Sequence, residues 1–184
     1  MKFKEGDLQF DFNENVWSHV LKFDETTAYG NAAKYLPRTK GVDFTGILEN
    51  NSLVLMEVKD FRGHRIENKP KFMEGKKALW IQAASKYKNS IAVMVGAARN
   101  STHEKEHFQA YLDLLKNEKK QLFLILWLEQ DTPLATRNKK LKTDRQEYIL
   151  LQQLKKSLKW LSAKVNIWDT SVNPFPKSLV VSHA

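Results

Sequence analysis

Apolar and polar positions along the chain change their period several times, and each change marks an element. The spacing over Glu14–Leu21 allows a short early helix. Asp24-Glu-Thr-Thr has the make-up of a helix start with Asp24 as N-cap, and that helix runs to about Tyr35 before Leu36-Pro37 stops it. From Gly41 to Phe61 the pattern is that of two strands. Val42-Asp-Phe-Thr-Gly-Ile-Leu is followed by the turn-like Glu49-Asn-Asn-Ser and then by Leu53-Val-Leu-Met-Glu-Val-Lys-Asp-Phe. Beyond Phe72 the period turns helical: Phe72, Leu79, Trp80, Ala83, Ala84 and Tyr87 share one face, with Lys76, Lys77 and Lys88 off it. Ile91-Ala-Val-Met-Val-Gly, short and wholly apolar, reads as a buried central strand. Ser101-Thr-His-Glu104 reads as a capping box for a helix carrying Phe108, Tyr111, Leu112 and Leu115. Gln121–Leu128 predicts a second buried strand, Asp144-Arg-Gln-Glu147 the start of another helix, and Lys164–Trp168 a last strand before Asn173-Pro-Phe-Pro ends regular structure. A hairpin followed by alternating helices and buried strands predicts an α/β sandwich, a mixed central sheet flanked by helices.

Length and composition narrow the setting. The chain has 184 residues, 42% of them hydrophobic, and neither an internal repeat nor a low-complexity linker. It therefore reads as one domain over 1–184, with a core at about 24–130 and a basic loop and C-terminal helix over 135–184. The absence of cysteine excludes disulfides and thiolate zinc sites. No run approaches the ~20 apolar residues of a membrane span, and Met1–Asp7 lacks the apolar core of a signal peptide, so a cytoplasmic protein without a membrane partner is expected. The net charge is +9, but residues 61–160 hold 21 basic and 10 acidic groups while residues 1–60 are net acidic. Clustered lysine and arginine fit a polyanion, because they displace the counterions condensed on phosphates.

The chemistry concentrates in the hairpin. Glu57 and Lys59 are two apart on a strand and point to one face, where Leu53 and Leu55 precede them. Two charges thus stand where hydrophobes are expected, and buried charge is costly unless paired or bound to metal. Asp43, in the partner strand, falls opposite Glu57 if the loop is odd in length and centred on Asn50. A two-residue Asn50-Asn51 turn sends it to the other face. Two converging carboxylates are hard oxygen ligands suited to Mg²⁺ or Mn²⁺, and a lysine beside them can stabilise charge developing on phosphorus. The alternative is a surface ion pair between Glu57 and Lys59.

Gly41-Val-Asp43-Phe, a short turn, and Leu55-Met-Glu57-Val-Lys59-Asp together resemble the signature of the PD-(D/E)xK nuclease superfamily. That superfamily includes many restriction endonucleases, Holliday-junction resolvases and recombination exonucleases. The likeness extends to element order and spans roughly residues 24–96, with Val42 where the motif has proline. It implies a restriction-endonuclease-like fold in which Asp43, Glu57 and the Val58 carbonyl bind Mg²⁺ or Mn²⁺ and Lys59 is the catalytic lysine. It further implies cleavage of DNA, endonucleolytic, in restriction, defence or recombination and repair. RNA as substrate, or a catalytically silent nucleic-acid-binding subunit, are the alternatives. Some members place another acid on the first helix, for which Glu14 and Glu25 are available. Arg62, His64 and Arg65, just after the motif, and Arg137, Lys139, Lys140 and Lys142 in the basic loop, are expected to contact phosphates. The Trp168–Phe175 tail is the expected contact for a homodimer or partner subunit.

Overall fold

The structure, a computed structural model, describes residues 1–63, 78–131 and 137–183, with 137–144 described by their backbone. The chain opens with a hairpin whose apolar positions alternate: strand β1 (Lys2–Glu5) pairs antiparallel with β2 (Leu8–Phe12) around a turn in which Gly6 has φ 58. Strand β3 (Trp17–Lys22) leads into a single 3-10 turn (Phe23–Glu25) and helix α1 (Thr27–Tyr35). The central hairpin follows as β4 (Phe44–Leu48) and β5 (Ser52–Asp60). Helices α2 (Leu79–Asn100) and α3 (Lys105–Lys116) precede β6 (Gln121–Glu129). Helix α4 (Arg137–Leu158), β7 (Lys164–Trp168) and β8 (Leu179–His183) complete the chain.

These strands build two sheets. The larger runs β3-β4-β5-β6-β7, antiparallel as far as β5 and parallel beyond it; the smaller runs β1-β2-β8. The fold is therefore mixed α/β, with two sheets and four α-helices among the described residues. Because side chains alternate along a strand, β5 feeds two cores. Leu53 and Leu55 join Leu124, Leu126, Ala83, Tyr87, Met94, Phe108 and Leu154 under the helices. Val54, Met56 and Val58 join Ile125, Trp127, Phe10, Phe12, Trp17 and Phe44 between the sheets. With both faces covered, β5 is buried from Ser52 to Val58, and its far end carries Glu57 and Lys59.

Several expectations change. Ile91–Gly96 is the middle of α2 rather than a strand, because the stripe Leu79, Ala83, Tyr87, Ser90, Met94, Ala97 keeps helical spacing straight through it. The first strand after that helix in the larger sheet is β6, beyond α3. Glu14–Leu21 is not helical: a bulge in β3, where His19 has φ 51, shifts the register between Ser18 and Leu21 and gives burial a helix-like spacing. The N-cap of α1 is Thr26, whose Oγ1 accepts the Tyr29 N–H at 3.3 Å, and Asp24 lies in the 3-10 turn before it. No capping box forms at Ser101–Glu104. Ser101 Oγ donates to the His103 carbonyl, and Glu104 Oε1 accepts from Thr27 N and Oγ1, tying the starts of α1 and α3 together. The expected basic loop is the beginning of α4, since Pro133 is followed by good helix formers without another proline or a glycine. Regular structure also resumes after Asn173-Pro-Phe-Pro as β8, on β2. Within the tail, Trp168 is buried against Phe175, ring centroids 5.5 Å apart, while Val172 is exposed.

Candidate active site

Hairpin geometry brings the acids together. Leu48 pairs with Ser52 across the three-residue loop Glu49-Asn50-Asn51, in which Glu49 and Asn50 both have φ 51. This odd loop sets Phe44 against Met56, so continuing the register by one residue sets Asp43 opposite Glu57. The Asp43 N–H donates to the Met56 carbonyl at 3.1 Å, and its Oδ2 accepts the Val58 N–H at 2.6 Å, so the carboxylate extends the ladder beyond the end of β4. On the other side, the Phe23 N–H donates to the Asp43 carbonyl at 2.8 Å. A Cβ on Gly41 would come within 2.8 Å of the Phe23 ring, so the close approach of this turn to the hairpin requires glycine. The result brings Asp24, in the 3-10 turn, beside Asp43.

Two lysines enter the same cluster. Lys59 Nζ lies 2.5 Å from Glu57 Oε1 and donates to the Val58 carbonyl at 2.9 Å. Lys86, on α2, reaches Glu57 Oε2 at 2.7 Å and Asp43 Oδ1 at 3.2 Å, bridging the two acids. Both carboxylates are buried, Asp43 at 4% exposure and Glu57 at 1%, while the side chain of Lys59 remains 28% exposed. Burial first, and the negative charge of Asp43 second, push the Glu57 carboxyl up to about 7 against the pull of both lysines. The Lys86 ammonium is held above its ordinary range: the two acids outweigh the burial that would lower it. Tyr87, fully buried, has its hydroxyl pushed well above its usual range by burial and by the same two acids.

More negative charge lies beyond Asp43. Carboxylate oxygens of Glu5, Asp24 and Asp43 lie within 4.8 Å of one another, and burial followed by the charges of Asp43 and Glu5 raises the Asp24 carboxyl. The acids weighed from sequence are engaged elsewhere. Glu14 pairs with the N-terminal ammonium at 3.0 Å, and Glu25 with Lys22 at 2.7 Å. Asp24 is the one that turns inward, since Thr26 does the capping.

Comparison with protein-family models, curated proteins and solved structures finds no match for this chain. The site therefore rests on its own geometry.

Asp43, Glu57 and Lys59 are brought together, with the Val58 carbonyl 2.9 Å from Lys59 Nζ. Arg62 is not part of that group. Its guanidinium forks onto Asp60, Nε to Oδ1 at 2.8 Å, and touches His183, and that fork holds the Asp60 carboxyl below its usual range. His64 and Arg65 lie outside the described residues. Arg137, Lys139, Lys140 and Lys142 fall in the first turns of α4, their side chains likewise outside the described set. Sequence reasoning missed Lys86, although a signal existed. With Ala83 three residues before it and Ser90 four after it, Lys86 sits on the inner stripe of α2, where the pattern calls for an apolar residue. Among the described residues, no helix is long and apolar enough to cross a membrane.

Proposed function

We propose that this chain is a divalent-metal-dependent nuclease of the PD-(D/E)xK kind, with a restriction-endonuclease-like fold, that hydrolyses phosphodiester bonds of DNA. The observation that carries the reading is that Asp43, just before β4, and Glu57, on β5, are both buried and both reach one ammonium nitrogen, with Lys59 next to Glu57 on the same face. Two carboxylates that already share one cation fit a divalent ion, which would need only shorter oxygen contacts of about 2.0–2.2 Å. Asp43, Glu57 and the Val58 carbonyl would hold it. When bound, such an ion supplies Lewis-acid activation of water and neutralises charge at phosphorus. The chain's own residues do the rest. The Val58 N–H pins the Asp43 carboxylate, so its remaining oxygen is fixed in direction. Lys59, the more exposed of the two lysines, can offer its ammonium to a phosphate oxygen as charge develops there. The excess of basic residues after position 60 supplies backbone affinity without base specificity.

A catalytically silent nucleic-acid-binding subunit is the second reading, favoured by one feature: each carboxylate already has a lysine partner. Incubating the protein with supercoiled plasmid in Mn²⁺, Mg²⁺ or EDTA separates the two. Metal-dependent nicking or linearisation supports the nuclease; a gel shift without cleavage in any metal supports the subunit. RNA offered in parallel decides the substrate.

A further inference from the structure

We propose that Lys86 is a resident counter-ion occupying the metal position in the metal-free protein, so that a divalent ion binds only by displacing its ammonium from between Asp43 and Glu57. The inference rests on the nuclease reading of those two acids. Three observations carry it. The first is position: the Lys86 nitrogen contacts one oxygen of each acid, at 3.2 and 2.7 Å, whereas among the described residues Lys59 touches Glu57 and the Val58 carbonyl and not Asp43. The second is support. Four residues on from Lys86, the fully buried Ser90 accepts the Val42 N–H at 2.9 Å through its Oγ, fastening α2 to the hairpin beside Asp43. The lysine is therefore aimed by packed structure, and its side chain is only 18% exposed.

Charge is the third. With both acids ionised, Asp43 and Glu57 bring two negative charges and Lys59 and Lys86 two positive ones, so this quartet is balanced without metal, with Glu5 and Asp24 lying beyond Asp43. Adding a doubly charged ion while both ammonium groups stay would set three cations around the same two buried carboxylates, and like charges a few ångströms apart in a poorly solvated site repel strongly. One ammonium must leave. Lys86 is the one whose nitrogen touches both prospective ligands, so its departure frees both at once. In the metal-free state it does the opposite, holding together two buried carboxylates that would otherwise repel.

The test is Mn²⁺ binding by calorimetry to the full chain, without nucleic acid, for wild type, Lys86→Met and Lys86→Arg, with Asp43→Asn as the ligand-deficient control. Lys86→Met keeps the length of the stem and removes the charge, so Mn²⁺ should bind about tenfold tighter or better, while Lys86→Arg stays near wild type. Melting in EDTA and in Mn²⁺ gives a second readout: Lys86→Met should melt below wild type in EDTA and gain more from Mn²⁺ than wild type does. Should Lys86→Met fail to fold, Lys86→Gln serves the same comparison. If wild type binds Mn²⁺ through Asp43 and Lys86→Met binds no tighter, the counter-ion role is wrong and the nuclease reading survives. If no variant binds Mn²⁺, both fall together.

Discussion

The two faces of β5 receive the same backbone and the same neighbouring strands, yet they end differently. Toward the smaller sheet the alternation stays apolar through Val54, Met56 and Val58 before Asp60 ends the strand, inside a core where Phe10 meets Phe44 and Trp127 tilted or edge-on at 4.9 and 5.5 Å and stacks on Phe12 at 6.4 Å. Toward the helices it begins as Leu53 and Leu55 and then switches to Glu57 and Lys59, with Glu57 as enclosed as the leucines before it. Hydrophobic burial on the first face is free to hold the sheet rigid. The second face gives up two core positions to charge, and a rigid support is what keeps those charges in register. One face stabilises, and the other is available for chemistry.

Breaking the apolar face should have the largest effect. Phe10→Ala removes a fully buried ring that touches Phe12, Phe44 and Trp127, and should cost about 3–5 kcal/mol in denaturant unfolding. Any variant still folded should keep its Mn²⁺ affinity near wild type, because no ligand has moved. On the charged face the order reverses. Lys59→Ala should slow cleavage ~10²–10³-fold in a nicking assay while stability changes little, since the side chain is partly solvated and is not a ligand. An unchanged rate would remove Lys59 from the site.

The pH dependence of stability sharpens the comparison. With its folded pKa raised to about 7, Glu57 holds a proton in the folded chain at pH values where the unfolded chain has lost it. Stability from this group is therefore fully present below the unfolded value of 4.5 and falls as pH rises through about 7, by up to roughly 3 kcal/mol. Unfolding of the metal-free protein at pH 5.5 and pH 8 should show that fall, and the difference should shrink in Glu57→Gln. Equal slopes in the two proteins would mean that Glu57 is ordinary.

What the sequence made legible follows from how local each signal is. The central hairpin, β6 and β7 rest on signals within about twenty residues, alternation and a turn for the first and apolar runs for the others, and were readable. The hairpin register stays open in the sequence between an odd and an even loop, and the three-residue turn fixes it. The β3 bulge defeated the same method, since one extra residue at His19 turned alternation into a helix-like spacing. Ile91–Gly96 failed for the opposite reason: six apolar residues taken alone suit a buried strand, and only the stripe from Leu79 to Ala97 shows the helix. In the site, Asp43, Glu57 and Lys59 were readable because two charges interrupt one strand face. Asp24 was hidden by a cap that Thr26 provides, and Lys86 by a contact 43 residues distant from Asp43. Long-range partners of that kind leave no periodic trace beyond a misplaced polar residue.

On the proposed function, the Glu57 face of β5 serves chemistry and is separable from the fold. The most direct measurement is Mn²⁺-dependent plasmid cleavage by Glu57→Gln, taken together with its melting temperature in EDTA at pH 8. The substitution keeps shape and removes one buried negative charge, so cleavage should fall by more than ~10³-fold, because the ion that would activate water loses one of its two carboxylate ligands. The melting temperature should stay within a few degrees of wild type, because the buried carboxylate lost was itself costly to ionise. Full cleavage by Glu57→Gln, or its collapse to an unfolded chain, would contradict the account.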